Sequence, residues 1–192
     1  MDYFNIKSDL TLVLSKDKKF SRYDLITMIE RELLNSDIQI VEFKSLTRSK
    51  LSLKINVKGQ KYSIIMFLKN ITGAGWVTKP KIKRVQVSNM ELDSPDSVVY
   101  NRNNNQEFNL IMGYYNFDNN PILVCWDAYR YFKHKTVRSC YVTVDSLLRG
   151  YEKGYYEGVD SAQKIWIFKG IYFEKFLEDY SVYLKNVKRR KD

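Results

Sequence analysis

The chain is poor in the residues that build the commonest catalytic and metal sites: one histidine, two cysteines and three prolines occur in 192 residues. Cys125 and Cys140 lie in the apolar runs ILVCW and SCYVTV, with neither a CxxC spacing nor a histidine cluster. That pattern supports neither a zinc site nor a disulfide framework, and both thiols are expected to be buried and free. His134, the single histidine, has no serine elbow to accompany it, so a nucleophilic triad is not indicated. TGAG, residues 72–75, lacks the GK[ST] of a phosphate loop and precedes a strand instead of a helix, which argues against ATP or NAD binding. No cofactor is expected. No apolar run approaches the roughly 18 residues of a membrane span, and MDYFNIKSDL lacks the charged-then-apolar order of a secretory signal. The expectation is a cytoplasmic protein without a membrane partner.

The most informative absence is of acid. Between Glu42 and Glu91 there is no carboxylate, while eleven cations fall in that stretch: Lys44, Arg48, Lys50, Lys54, Lys58, Lys61, Lys69, Lys79, Lys81, Lys83 and Arg84. A second acid-free stretch between Asp127 and Asp145 holds Arg130, Lys133, His134, Lys135 and Arg138, and the chain closes on KNVKRRK. The net charge is +10. Fields of this kind attract polyanions, because every phosphate neutralised releases condensed counterions.

What is present is enough apolar material, 44% hydrophobic and 15% aromatic, for one sizeable core. SRYDLITMIERELLN predicts a helix capped by Ser21, with Asp24 in its first turn and a stripe of Leu25, Ile26, Ile29, Leu33 and Leu34. IQIVEFK, LSLKINV, YSIIMFLK, KIKRVQVS, FNLIMGYYN, ILVCWDA, SCYVTV and KIWIFK predict strands, the second and third joined by a hairpin turn at Lys58-Gly59-Gln60. DSLLRGYEK and GIYFEKFLEDYSVYLKNV predict two further helices. The fold class is therefore α+β, a curved mixed or antiparallel sheet, barrel-like, with flanking helices. Two organisations fit: a helix-and-hairpin lobe over 1–68 followed by a β-rich lobe with a C-terminal helix over 69–192, or one continuous sheet.

Three segments invite a functional reading. In KNITGAGWVTKPKIKRVQVSN, Gly73 and Gly75 allow a close backbone approach or a bend that aims Trp76, itself either a reader or a core cap, with Lys79 beside it. In KIKRVQVS, strand alternation places Lys81, Lys83, Val85 and Val87 on one face and Ile82, Arg84, Gln86 and Ser88 on the other. Arg84 and Gln86 are the types that make two-pronged contacts with guanine and adenine edges, and Lys81 and Lys83 suit phosphates. In CWDAYRYFKHKTVRS, aromatics alternate with Arg130, Lys133, His134, Lys135 and Arg138, a pattern suited to bases and phosphates together. The asparagine-rich SPDSVVYNRNNNQE reads as a loop. An enzymatic alternative rests on Glu42-Phe43-Lys44 with Asp24 or Asp37, the carboxylates holding magnesium and the lysine steadying the attacking water. Its spacing is poor, since Asp24 lies in a helix and Asp37 only five residues before Glu42.

The order of motifs from about Lys69 to Phe168, ITGAGW, RVQVS, LIMGYYNF, ILVCWDAYR, VRSCYVTV and a leucine helix ending in Gly154, resembles the N-terminal DNA-recognition domains of bacterial restriction proteins, McrBC-like or related modification-dependent ones. The likeness covers roughly half of the chain and implies that Arg84, Gln86, Trp126 and Asp127 belong to the frame of that pattern. It further implies a duplex DNA-binding specificity module whose catalysis is supplied by a separate nuclease or NTPase domain or subunit. A magnesium-dependent nuclease and an RNA-binding adaptor are the alternatives.

Overall fold

The structure is a computed structural model and describes residues 2–34, 36, 38–47, 50–87, 107–117, 120–128 and 138–189. Among them run twelve strands and three helices: β1 (Tyr3–Ile6), β2 (Leu12–Ser15), α1 (Arg22–Leu34), β3 (Ile38–Ser45), β4 (Lys50–Val57), β5 (Gln60–Asn70), β6 (Thr72–Gly73), β7 (Ile82–Val87), β8 (Glu107–Phe117), β9 (Asn120–Asp127), β10 (Arg138–Thr143), α2 (Val144–Lys153), β11 (Tyr155–Asp160), β12 (Gln163–Phe168) and α3 (Phe173–Arg189).

Seven strands make the main sheet, in the order β11-β12-β9-β8-β5-β4-β3. All of its neighbours are antiparallel except β5 and β8, which pair in parallel from Ser63↔Glu107 to Asn70↔Tyr114. A parallel pair cannot be closed by a tight turn. The intervening chain supplies β6 and β7, which join β10 in a separate three-stranded sheet ordered β10-β7-β6. The fold is thus mixed α+β, but the main sheet is open, with β3 and β11 at its edges, and no described sheet closes into a barrel. Residues 68 and 69 both fall inside β5, so strands from either side of that point share one sheet.

Alternation along β5 assigns the layers. Ile64, Met66 and Leu68 face the helices, where Leu25, Ile29 and Leu33 of α1 and Phe173, Phe176, Leu177, Tyr180 and Leu184 of α3 complete the core. Ile65 and Phe67 face the opposite way, into a second core with Ile111, Val124, Trp126, Ile165 and Ile167 of the same sheet. That second core is closed by Val85, Val87, Cys140 and Val142 of the small sheet, by Val144 and Leu147 of α2 and by Ile6 of β1. Cys125 and Cys140 are both buried free thiols.

Local chemistry explains the element ends. The Ser21 hydroxyl accepts from the Asp24 N–H at 3.1 Å while the Asp24 carboxylate accepts from the Ser21 N–H at 3.0 Å, a reciprocal cap on α1. The Thr143 side chain caps α2 by accepting from the Ser146 N–H, and Gly154 ends the helix at φ 73°. Lys58 and Gly59, both at positive φ, form the two-residue turn between β4 and β5.

Candidate nucleic-acid interface

The three-stranded sheet has one face buried and one turned out. Its register aligns Thr72, Arg84 and Tyr141 across β6, β7 and β10, with Gln86 opposite Ser139 and Ile82 opposite Thr143. Lys83, Val85 and Val87 point into the second core, whereas Ile82, Arg84 and Gln86 lie on the outer face. The alternation expected for KIKRVQVS is therefore the one observed, and it brings Arg84 and Gln86 side by side, two residues apart along one strand.

The loop that joins β6 to β7 is pinned rather than loose. The Ala74 N–H donates to the Ile82 carbonyl at 3.0 Å. Above that closing pair stand two successive turns, Lys79 N–H to Trp76 carbonyl at 3.2 Å and Ile82 N–H to Lys79 carbonyl at 3.1 Å. Gly75 adopts φ 85°, a conformation that side-chain-bearing residues seldom take, and lies beside the Arg84 guanidinium. Trp76, 39% exposed, stacks on Tyr141 with ring centroids 5.1 Å apart and 28° between planes, and Lys79 Nζ sits 5.6 Å from the indole centroid. Trp76 is thus a surface aromatic clasped to the outer face, not a lid on the core.

Gly73 has a different role from its neighbour. Its N–H donates to Asp17 at 2.6 Å, and a Cβ there would lie 2.3 Å from the Tyr3 ring. The close approach it permits is to the protein's own N-terminal hairpin.

Tyr141 itself is held from behind. Strand β10 is an edge, and its outer hydrogen-bonding groups are met by side chains: the Tyr141 N–H donates to Gln163 Oε1 at 2.9 Å, Gln163 Nε2 donates to the Ser139 carbonyl at 3.2 Å, and Trp126 Nε1 donates to the Tyr141 carbonyl at 2.9 Å. Asp160 accepts from the Thr143 N–H at 2.8 Å and from its hydroxyl at 3.1 Å. Trp126 is fully buried, and Asp127 accepts from the Tyr183 hydroxyl at 3.0 Å. Both members of that WD pair act as frame.

Lys83 departs from expectation. Grouped in the sequence with Lys81 as a phosphate contact, it has a side chain 0% exposed and ion-paired with Asp17. Its ammonium also donates to Asn5 Oδ1 at 2.7 Å and lies 5.4 Å and 5.6 Å from the Tyr3 and Tyr115 ring centroids. Burial pushes its pKa down, opposed by the hydrogen bond and charge of Asp17. In this geometry it ties the N-terminal segment to the small sheet and does not reach solvent. Lys81 does, half exposed and 3.6 Å from Asp145 at the start of α2. Arg138 opens β10 opposite Val87, exposed at the end of the sheet and not among the outer-face residues. Arg130, Lys133, His134 and Lys135 lie outside the described residues, as does residues 94–106 of the asparagine-rich loop.

The carboxylates of the enzymatic alternative have other commitments. Glu42 is ion-paired with Lys44 and, at 2.6 Å, with Lys54, and these hydrogen bonds and charges lower its pKa to about 2. Asp24 caps α1, and Asp37 lies outside the described residues. Among the described residues no group of three or more His, Cys, Asp or Glu is placed to hold a metal ion, and no described helix is long and apolar enough to cross a membrane.

Sequence reasoning missed Tyr141, although a signal was available: in SCYVTV it shares parity with Ser139 and Thr143, an aromatic on the polar side of a strand. No curated protein and no solved structure matches the chain. The profile of the family described as Methylase-associated X1 matches residues 62–177, a span that starts in β5, contains the whole small sheet with its loop, and ends within α3. At this coarser level the match agrees with the restriction and modification setting to which the motif order pointed. Covering more than half of the 192 residues, it shows that the chain belongs to the methylase-associated X1 family.

Proposed function

We propose that the chain is a duplex DNA-binding specificity module of a restriction or modification system, working in the cytoplasm, with the outer face of the β6–β7–β10 sheet as its reading surface. The observation that carries this reading is the placement of Arg84 and Gln86 on that face, next to the Trp76–Tyr141 stack and Lys79. Arginine and glutamine reach base edges in pairs of hydrogen bonds, and their spacing of two residues along β7 sets them for neighbouring bases. Lys79 and Lys81 on the adjoining loop suit phosphates, which position a protein without conveying sequence. Arg138 and the cations of 130–135 extend the same basic character in the sequence. Methylation, cleavage or NTP hydrolysis is assigned to a separate domain or subunit, and association with a methylase fits the family description. The narrower likeness to McrBC-like or related modification-dependent proteins makes methylation of the duplex a variable of the test.

The test is a binding screen over duplexes that differ in sequence and methylation, repeated across salt concentrations. Log affinity should fall with log salt with a slope of about −0.9 per phosphate neutralised. Arg84→Ala and Gln86→Ala should narrow the gap between preferred and other duplexes, while Lys79→Ala and Lys81→Ala should weaken all duplexes alike. A flat salt dependence, or structured RNA outcompeting duplex DNA, would overturn the reading. So would cleavage of DNA by this chain alone that a magnesium chelator abolishes.

A further inference from the structure

We infer that Val77 is a rigid apolar wedge that enters a base step of the bound duplex, so that the chain opens or bends the DNA it reads. The inference rests on the function proposed above and deepens it by specifying a deformed duplex as the substrate.

Val77 is 74% exposed and follows Trp76, 39% exposed, so two apolar side chains in succession reach the surface of the loop. It occupies the first corner of the turn from Trp76 to Lys79. Turn corners favour proline and small polar residues, and the next turn along obeys that preference with Pro80 in the equivalent place. A β-branched apolar side chain at an exposed corner breaks the local rule with no packing to compensate, and such breaks concentrate where function requires them.

The loop also has the stiffness a wedge needs. Trp76 is stacked on Tyr141, Ala74 is bonded to Ile82, and the Pro80 carbonyl accepts from the Phe4 N–H at 3.3 Å. Valine adds few rotamers of its own to lose on insertion. On the same loop, Lys79 lies beside the Trp76 indole and Lys81 is half exposed, cations matched to the phosphates that flank a base step. An apolar residue pushed between bases and flanked by phosphate-binding cations is the arrangement by which architectural proteins kink a duplex.

The experiment uses the full chain and duplexes carrying 2-aminopurine at successive steps of the bound site, with a donor and an acceptor dye on the ends. The wild-type protein should raise 2-aminopurine fluorescence at one step and shorten the end-to-end distance. Val77→Ser, exposed and therefore folded, should lose both signals while still binding, and Val77→Leu should keep both. Binding by the wild type with no change in either signal, or unchanged signals with Val77→Ser, would overturn the wedge and leave the reading surface standing. Absence of duplex binding by the wild type would overturn the proposed function and the wedge with it. Phosphatidylserine vesicles form the remaining arm. Loss of vesicle co-sedimentation by Val77→Ser with unaltered DNA signals would assign the tip to a lipid surface and overturn the wedge.

Discussion

Trp76 and Tyr141 lie 65 positions apart in the sequence and stack at 5.1 Å, the indole belonging to a loop and the phenol to a strand whose backbone is gripped on its other edge by Gln163 and Trp126. The loop is therefore referenced, through one aromatic contact, to the rigid main sheet. Trp76→Ala should cost clearly less stability than the about 3–5 kcal/mol of a buried aromatic, because the ring is 39% exposed. A double-mutant cycle with Tyr141→Ala, read by chemical denaturation, should give a coupling of about 0.5–1.5 kcal/mol. DNA affinity of either variant should fall by more than its loss of folding explains.

Lys83 and Lys79 should behave oppositely. Lys83→Ala leaves Asp17 buried without its counter-ion, a change that costs about 3–5 kcal/mol, and thermal unfolding should register it at once. Lys79→Ala, at an exposed position, should shift stability by no more than about 0.5 kcal/mol while weakening binding to every duplex. Equal stability of the two variants would refute the buried role of Lys83.

The hairpin from β11 to β12 turns through Ser161 and Ala162, at φ 47° and 60°, both in the left-handed region without a glycine. Two-residue turns of this kind favour Asn-Gly, and removing Cβ strain at such a position yields about 1 kcal/mol. The pair Ser161→Asn and Ala162→Gly should raise the unfolding midpoint in urea. The flanking Asp160 and Gln163 hold the edge of β10, so a firmer turn should leave the outer face of the small sheet in place.

Glu42 provides the pH prediction. Its hydrogen bond to Lys44, then that to Lys54, lowers its pKa from an ordinary 4.5 to about 2. A depressed carboxylate contributes stability that is present above its unfolded pKa and lost as pH falls through the folded one, here between 4.5 and about 2. Because the group is at the surface, solvent keeps that contribution small. The carboxyl carbon shift of Glu42 in an NMR titration should have its midpoint near 2, and Lys54→Ala should move it upward.

Elements with a strong period were legible in the sequence. The capped stripe of α1, the alternation of β4 and β7, and the aromatic face of α3 each state their own conformation, because burial of one face selects one period. The short β1, β2 and β6 offer too few residues for a period to show, and YYEGVD of β11 is broken by a glycine and two acids. Strand pairing was not legible at all where it is remote: nothing in YSIIMFLK or FNLIMGYYN announces that they lie in parallel. Lys83 shows the same limit for the site. Alternation put it with Val85 and Val87, yet its partner Asp17 is 66 positions away, and only the folded chain reveals that the charge is neutralised inside.

That ion pair carries a consequence for what is inherited as a unit. The span shared with the family starts at Tyr62, downstream of Asp17, Asn5 and Tyr3, the very groups that receive the Lys83 ammonium. It also starts beyond β3, β4 and α1, which complete the main sheet and roof its first core. Excised at those limits, the polypeptide would retain a lysine with no acid to answer it and a parallel strand pair bared along one edge. The recognisable portion of this chain is consequently not self-sufficient, and an excised piece that is to keep the small sheet in place has to carry the leading sixty residues along.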